Sequence, residues 1–226
     1  MVTTPLVDSL RLYLVTDQAS IGSRTLADVV AAAVQGGVTC VQLREKQLGT
    51  RDFLVQAMAL KALLEPLAIP LVINDRIDVA LACGAQGVHL GQSDMPVAVA
   101  RRMLPSHVFI GWSVETMEDV ERSAQLPVDY LGVSPIYATP TKTDTLVPWG
   151  LEGLREVRRA TALPVVAIGG IHTGNARDVL SAGADGLAVV SAVCAAPDPL
   201  AAARALERLV SAHRAQAQAM RGRTND

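Results

Sequence analysis

"PVVAIGGIHTGNARDVLSAGADGLAVVS", residues 164–191, is the unit from which the rest of the chain can be read. It opens with an apolar run over 164–169, turns at Gly169 and Gly170, crosses a helix candidate over 174–182 and ends in a second apolar run over 186–190. Neither run alternates with polar residues. Each therefore predicts a strand covered on both faces, as in a parallel sheet. The turn in "AGADGLAVVS" (182–191) has an echo in "CGAQGVHLG" (83–91). Both are Gly-Ala-x-Gly turns that end a helix and feed a strand.

Further strands are predicted at "LYLVT" (12–16), "VTCVQL" (38–43), "PLVI" (70–73), "QGVHL" (86–90), "VFIG" (108–111) and "DYLGV" (129–133). Helix candidates occupy 25–37, 50–66, 76–83, 96–103, 115–125, 151–160 and 198 to about 216. In the first, Leu26, Val29, Val30, Ala33 and Val34 fall at helical spacing, and Gly36 and Gly37 end it. Thr50 is a candidate cap for the second, which stops near Pro66. Eight strands alternating with eight helices, with no polar linker between them, predict a single (β/α)8 TIM barrel domain over 1–226. The tail from about 217 loses the periodicity and is expected to fray. The alternative is a doubly wound sheet, but no Gly-rich dinucleotide loop follows the first strand.

Composition narrows the function. The 226 residues are half apolar, yet include only two Phe, three Tyr and two Trp, a poor platform for stacking single-stranded bases. With 20 basic against 22 acidic residues, the net charge of -2 gives no general pull toward nucleic acid or anionic lipid. An anion site must be local. Cys40, Cys83 and Cys194 lie far apart with no C-x-x-C, as expected of buried thiols in a reducing compartment. No apolar run approaches the roughly 18 residues of a membrane span, and "MVTTPLVDSLRLYLVTD" lacks a cationic start. A soluble cytoplasmic protein is expected. The oligomeric state stays open, a homo-oligomer included.

Barrel enzymes draw their chemistry from the C-terminal ends of the strands, and here those positions are crowded. The second strand ends in Gln42, Arg44 and Lys46, the third in Asn74 and Asp75, and the fourth in His89, Gln92 and Asp94. Ser113 follows the fifth strand, the loop "SPIYATPTKTDT" (134–145) the sixth, Gly169 and Gly170 the seventh, and Ser191 the eighth. Arg44 offers a rigid two-pronged donor and Lys46 a mobile charge, a pairing suited to phosphate oxygens or to a solvated strand end. Glu45 points to the opposite face if strand geometry persists. Asp75 and Asp94 suit Mg²⁺ with phosphate and water as co-ligands, or else cap the helices that follow them. His89, with no Cys or second His nearby, reads as a hydrogen-bonding residue. Thr139, Thr141 and Lys142 could wrap an anion. The "IGGI" and "VVSA" strand ends present backbone N–H groups, the usual phosphate seat of such barrels. Two anion sites follow, one cationic and metal-assisted, the other built from backbone.

In order along the chain, "VQLREK" (41–46), "INDRIDVAL" (73–81), "GVHLGQSD" (87–94), "IGWSVET" (110–116), "SPIYATPTKTD" (134–144), "GLEGLR" (150–155), "AIGGI" (167–171) and "VVSAV" (189–193) resemble the thiamine-phosphate synthase family. The resemblance implies a TIM-barrel transferase. Its two phosphorylated substrates are 4-amino-2-methyl-5-hydroxymethylpyrimidine diphosphate and 4-methyl-5-(2-phosphooxyethyl)thiazole, and its products are thiamine monophosphate and pyrophosphate. It implies Mg²⁺ held by Asp75 and Asp94. It places Gln42, Leu43, Arg44, Glu45, Lys46, Asn74, Ser113 and Lys142 at the pyrimidine diphosphate, with Arg44, Lys46, Lys142 and Ser113 catalytic. It places Thr139, Pro140, Thr141, Gly170, Val190 and Ser191 at the thiazole phosphate. Trp112 and Trp149 stand where smaller or aliphatic residues are expected. The related thiazole tautomerase, a Schiff-base aldolase using Lys46 or Lys142, and a non-catalytic phosphate-binding barrel are the competing readings.

Overall fold

The computed structural model describes residues 6–138 and 147–223. A one-turn helix, α1 (Leu6–Ser9), precedes the repeating units. These are β1 (Leu12–Val15), α2 (Leu26–Gln35), β2 (Cys40–Leu43), α3 (Thr50–Leu64), β3 (Leu71–Asn74), α4 (Ile77–Cys83), β4 (Gly87–Leu90) and α5 (Val97–Met103). The second half follows as β5 (Phe109–Val114), α6 (Met117–Ser123), β6 (Tyr130–Val133), α7 (Gly150–Ala160), β7 (Val165–Ile168), α8 (Ala176–Ser181) and β8 (Gly186–Val189). Two helices close the chain, α9 (Ser191–Cys194) and α10 (Pro199–Arg223). The strands pair in parallel in sequence order, and β8 returns to β1 through Leu12↔Leu187. This is a closed (β/α)8 barrel, and the doubly wound alternative is excluded.

Two apolar layers hold it. Leu14, Val41, Ile73, Val88, Ile110 and Leu131 face outward and bury against the helices. Tyr13, Val15, Cys40, Val72, Tyr130, Val166 and Ala188 face inward and form a separate cluster, closed from beneath by Leu10. Small residues make the interior possible. A Cβ on Gly111 would sit 2.0 Å from the Tyr130 ring, and one on Gly132 would meet His89 at 2.9 Å. Glycine on one strand thus makes room for a large side chain on its neighbour, which is how a narrow barrel reaches interior packing density.

Differences from the sequence-based expectations have local causes. The fifth strand runs on to Val114, because Trp112, Ser113 and Val114 continue the ladder with Leu131, Gly132 and Val133. The last helix extends to Arg223, past the expected 216, because Ala and Gln in "AQAQA" favour helix without any apolar stripe. Thr50 starts α3 rather than capping it; the cap is Gly49, and the Thr50 hydroxyl accepts from Arg76 Nη2 at 2.8 Å. Among the described residues no helix is long and apolar enough to cross a membrane.

Candidate active site

The C-terminal strand ends enclose a cavity of about 590 Å³. Along β2 the pleat alternates. Gln42, Arg44 and Lys46 line the cavity, whereas Leu43 is buried in the outer layer between sheet and helices. Glu45 turns back on its own loop, where Oε1 accepts from the Gln47 and Leu48 N–H groups at 2.7 and 3.2 Å. The side chains of Leu43 and Glu45 are therefore not brought to the cavity, and the expected inward trio is.

Lys46 Nζ forms an ion pair with Asp75 Oδ2. Asp75 sits at φ 62°, a left-handed conformation that Asp tolerates at some cost in strain. Neither aspartate caps a helix: the residues at the N-termini of α4 and α5 are Arg76 and Pro96. Asp94 Oδ2 instead accepts the Gly91 N–H at 2.6 Å, which closes the loop after β4. Burial, and then the adjoining Asp75 carboxylate, push the Asp94 carboxyl above its ordinary range; the Gly91 N–H and Lys46 oppose this. Two carboxylates crowded until one gains proton affinity form a donor set that a hard cation relieves, so these residues fit Mg²⁺. Among the described residues no group of three or more His, Cys, Asp or Glu could hold a metal, and any further ligands would have to be substrate oxygens and water.

Beneath the cations lies a polar network that joins Gln42, His89 and Ser113 through Tyr13 and Tyr130, the two members that sequence reasoning missed. Gln42 Nε2 donates to the Tyr13 hydroxyl at 2.9 Å, which lies 3.0 Å from the Tyr130 hydroxyl. Tyr130 in turn meets His89 Nδ1 at 2.8 Å, and His89 Nε2 meets Ser113 Oγ at 2.9 Å. Burial holds both tyrosines well above their usual pKa, so the hydroxyls stay neutral and act as hydrogen-bonding groups. Asn74, 7% exposed, lines the cavity beside Lys46 and Asp75. A signal for the network is present: two of only three tyrosines fall within predicted strands. Nothing local shows that they face each other.

The other side of the mouth is built from backbone. Gly169 and Gly170 have φ of 106° and 66°, and a Cβ on either would come within 2.8 Å of Pro135 or Tyr137. The turn is secured by Asn175, whose Nδ2 donates to the Gly170 carbonyl and whose Oδ1 accepts the His172 N–H, both at 2.9 Å. Gly170, Val190 and Ser191 all line the cavity, with Ser191 at the start of α9. Thr139, Pro140, Thr141 and Lys142 lie outside the described residues.

Cations and carboxylates on one rim of a parallel barrel, facing a backbone turn on the other, define by class a phosphate-handling (β/α)8 enzyme. The family model described as thiamine monophosphate synthase matches residues 12–193. The chain is 80% identical over 206 residues to a thiamine-phosphate synthase of Albidiferax ferrireducens, covering 91% of this chain and 94% of that protein. It is 49% identical over 201 residues to one of Chloroflexus aurantiacus, covering 89% and 93%. A thiamine phosphate pyrophosphorylase of Pyrococcus furiosus superposes with a TM-score of 0.86 at 38% identity, over 92% of this chain and 99% of that one. The chain belongs to the thiamine monophosphate synthase family.

Proposed function

We propose that this chain joins 4-amino-2-methyl-5-hydroxymethylpyrimidine diphosphate to 4-methyl-5-(2-phosphooxyethyl)thiazole, giving thiamine monophosphate and pyrophosphate. The observation that carries this reading is one cavity with two unlike rims. Arg44, Lys46, Asp75 and Asp94 lie on one rim, and Gly170, Val190 and Ser191 on the other. A diphosphate needs concentrated positive charge, whereas a monophosphate is satisfied by backbone donors.

In this reading Gln42 and Asn74 hold the pyrimidine over the tyrosine floor, with Ser113 held by His89 beside it. Leu43 and Glu45 contribute through their backbone, since their side chains turn elsewhere. Asp75 and Asp94 hold Mg²⁺, which when bound supplies positive charge to the diphosphate oxygens. Arg44 and Lys46 stabilise the charge that grows on those oxygens as the methylene–oxygen bond breaks. The family resemblance adds Lys142 to this set, and Thr139, Pro140 and Thr141 to the thiazole phosphate. The thiazole nitrogen attacks the pyrimidine methylene with its own lone pair, so no strong general base is required. The barrel walls limit capture by water of the pyrimidine methylene cation that is left when the methylene–oxygen bond breaks. Cys40, Cys83 and Cys194 are free thiols, which supports a cytoplasmic setting.

The test is pyrophosphate release with both substrates and Mg²⁺, omitting each component in turn. Release that needs all three is the expected result. No release from well-folded protein overturns the reading.

A further inference from the structure

Asp94 sits on a short loop between β4 and α5, and that loop is tied to the outside of the barrel at Gln92. Gln92 Nε2 donates to the Ser113 carbonyl at 2.6 Å, and Gln92 Oε1 accepts from Arg122 Nη2 at 2.7 Å. Arg122 is itself held from two directions. Its Nη2 donates to Asp119 Oδ1 at 2.8 Å, and its guanidinium carbon lies 5.0 Å from the centre of the Trp112 ring. Asp119 is fixed in turn, because its Oδ2 accepts the Glu115 and Thr116 N–H groups at 3.0 and 3.1 Å in the capping box of α6. Trp112 is 4% exposed in the outer wall of β5. A continuous run of contacts therefore leads from a buried indole and a helix cap, through Arg122 and Gln92, to the loop that carries Asp94.

We propose that Arg122 is a positioning residue for the Mg²⁺ site, acting through Gln92 to hold Asp94 against Asp75. The proposal rests on the reading of Asp75 and Asp94 as the Mg²⁺ carboxylates. Its physical basis is that Asp75 and Asp94 line one cavity from successive strand ends, where two carboxylates repel. A loop held only by the Gly91–Asp94 hydrogen bond would relax outward before the cation arrives, and the cation would then have to draw it back. A tether made in advance removes that cost from binding. Trp112 gives the tether its footing: a flat aromatic face under the guanidinium restricts where the cation rests. The Arg122 side chain is 55% exposed, so its ion pair with Asp119 is screened and the effect on metal affinity is expected to be moderate, about three- to tenfold.

The test uses Mn²⁺ as the probe cation with inorganic pyrophosphate, free Mn²⁺ being read by electron paramagnetic resonance. The set is the parent, Arg122→Ala, Arg122→Lys, Gln92→Ala, the double variant Gln92→Ala/Arg122→Ala, and Asp94→Asn. Arg122→Ala and Gln92→Ala should each weaken Mn²⁺ binding by about three- to tenfold, and the double variant no more than the weaker single one. Arg122→Lys, which keeps a cation over Trp112, should recover part of the loss. In steady state the half-saturating Mg²⁺ concentration should rise in Arg122→Ala while the KM for the thiazole phosphate stays put. An unchanged Mn²⁺ affinity in Arg122→Ala, or additive losses in the double variant, overturns the positioning role. Equal Mn²⁺ binding by Asp94→Asn and the parent overturns the carboxylate reading itself, and the proposal with it.

Discussion

Ser113 Oγ and His89 Nε2 lie 2.9 Å apart on adjacent strands, and the other ring nitrogen of His89 meets Tyr130. The imidazole therefore sets the direction of the serine hydroxyl that faces the cavity. His89→Leu should remove that control and leave Ser113 and Tyr130 each short of one partner. The expected loss is about 1–2 kcal/mol, or about 5- to 30-fold in kcat/KM for the pyrimidine diphosphate. Steady-state kinetics varying each substrate separately check this, and the KM for the thiazole phosphate should stay within about twofold.

Arg44 is half-buried at the cavity wall, with its backbone N–H on the Thr16 hydroxyl at 3.0 Å. Because that anchor is backbone, Arg44→Ala should leave the fold intact. Loss of one donor to the departing pyrophosphate should slow single-turnover chemistry by about 100-fold. A near-parent rate would sink the assignment.

Asp94 makes a pH-dependent prediction. Its folded pKa is raised above the ordinary 3.8, by burial and then by Asp75. An acid raised on folding stabilises the protein while protonated. Its contribution is whole below about pH 3.8 and is lost as pH rises through the folded value. Without Mg²⁺, Asp94→Asn should therefore melt higher than the parent at neutral pH, and the difference should vanish below about pH 3.8. Adding Mg²⁺ with pyrophosphate should raise the melting temperature of the parent and leave that of Asp94→Asn nearly unchanged. Calorimetry across pH, with and without Mg²⁺, reads both effects.

Gly111 tests the packing of the interior. An added Cβ would lie 2.0 Å from the Tyr130 ring, which is wholly buried and hydrogen-bonded to Tyr13 and His89. Gly111→Ala should cost about 2–3 kcal/mol by overpacking, seen as a lower midpoint in urea.

Gly170 tests the backbone phosphate seat. Its φ is 66°, and an added Cβ would lie 2.8 Å from Tyr137 Cβ, which leaves no place for a side chain. Gly170→Ala should raise the KM for the thiazole phosphate by about tenfold, with the KM for the pyrimidine diphosphate little changed.

Much of this is legible because it depends on local periodicity. The βαβ pattern of 164–191 predicts β7, α8 and β8 to within two residues of their observed ends. Alternation along β2 is enough to separate Gln42, Arg44 and Lys46 from Glu45, since the pleat repeats every two residues. Trp112 is legible only as an oddity; its place under Arg122 depends on the packing of α6 against β5.

By itself, the sequence determined the order of elements, the polarity of the strand ends and the kind of ligand those ends could attract. Each of these is a property of a few neighbouring residues. Partnership was decided by the tertiary structure. Tyr13 and Tyr130 are 117 positions apart and meet only because the barrel closes and Gly111 leaves room. Gln92 and Arg122, 30 positions apart, meet because the loop after β4 lies against α6. Barrel closure selects which distant residues share a hydrogen bond, and local periodicity carries no information about that.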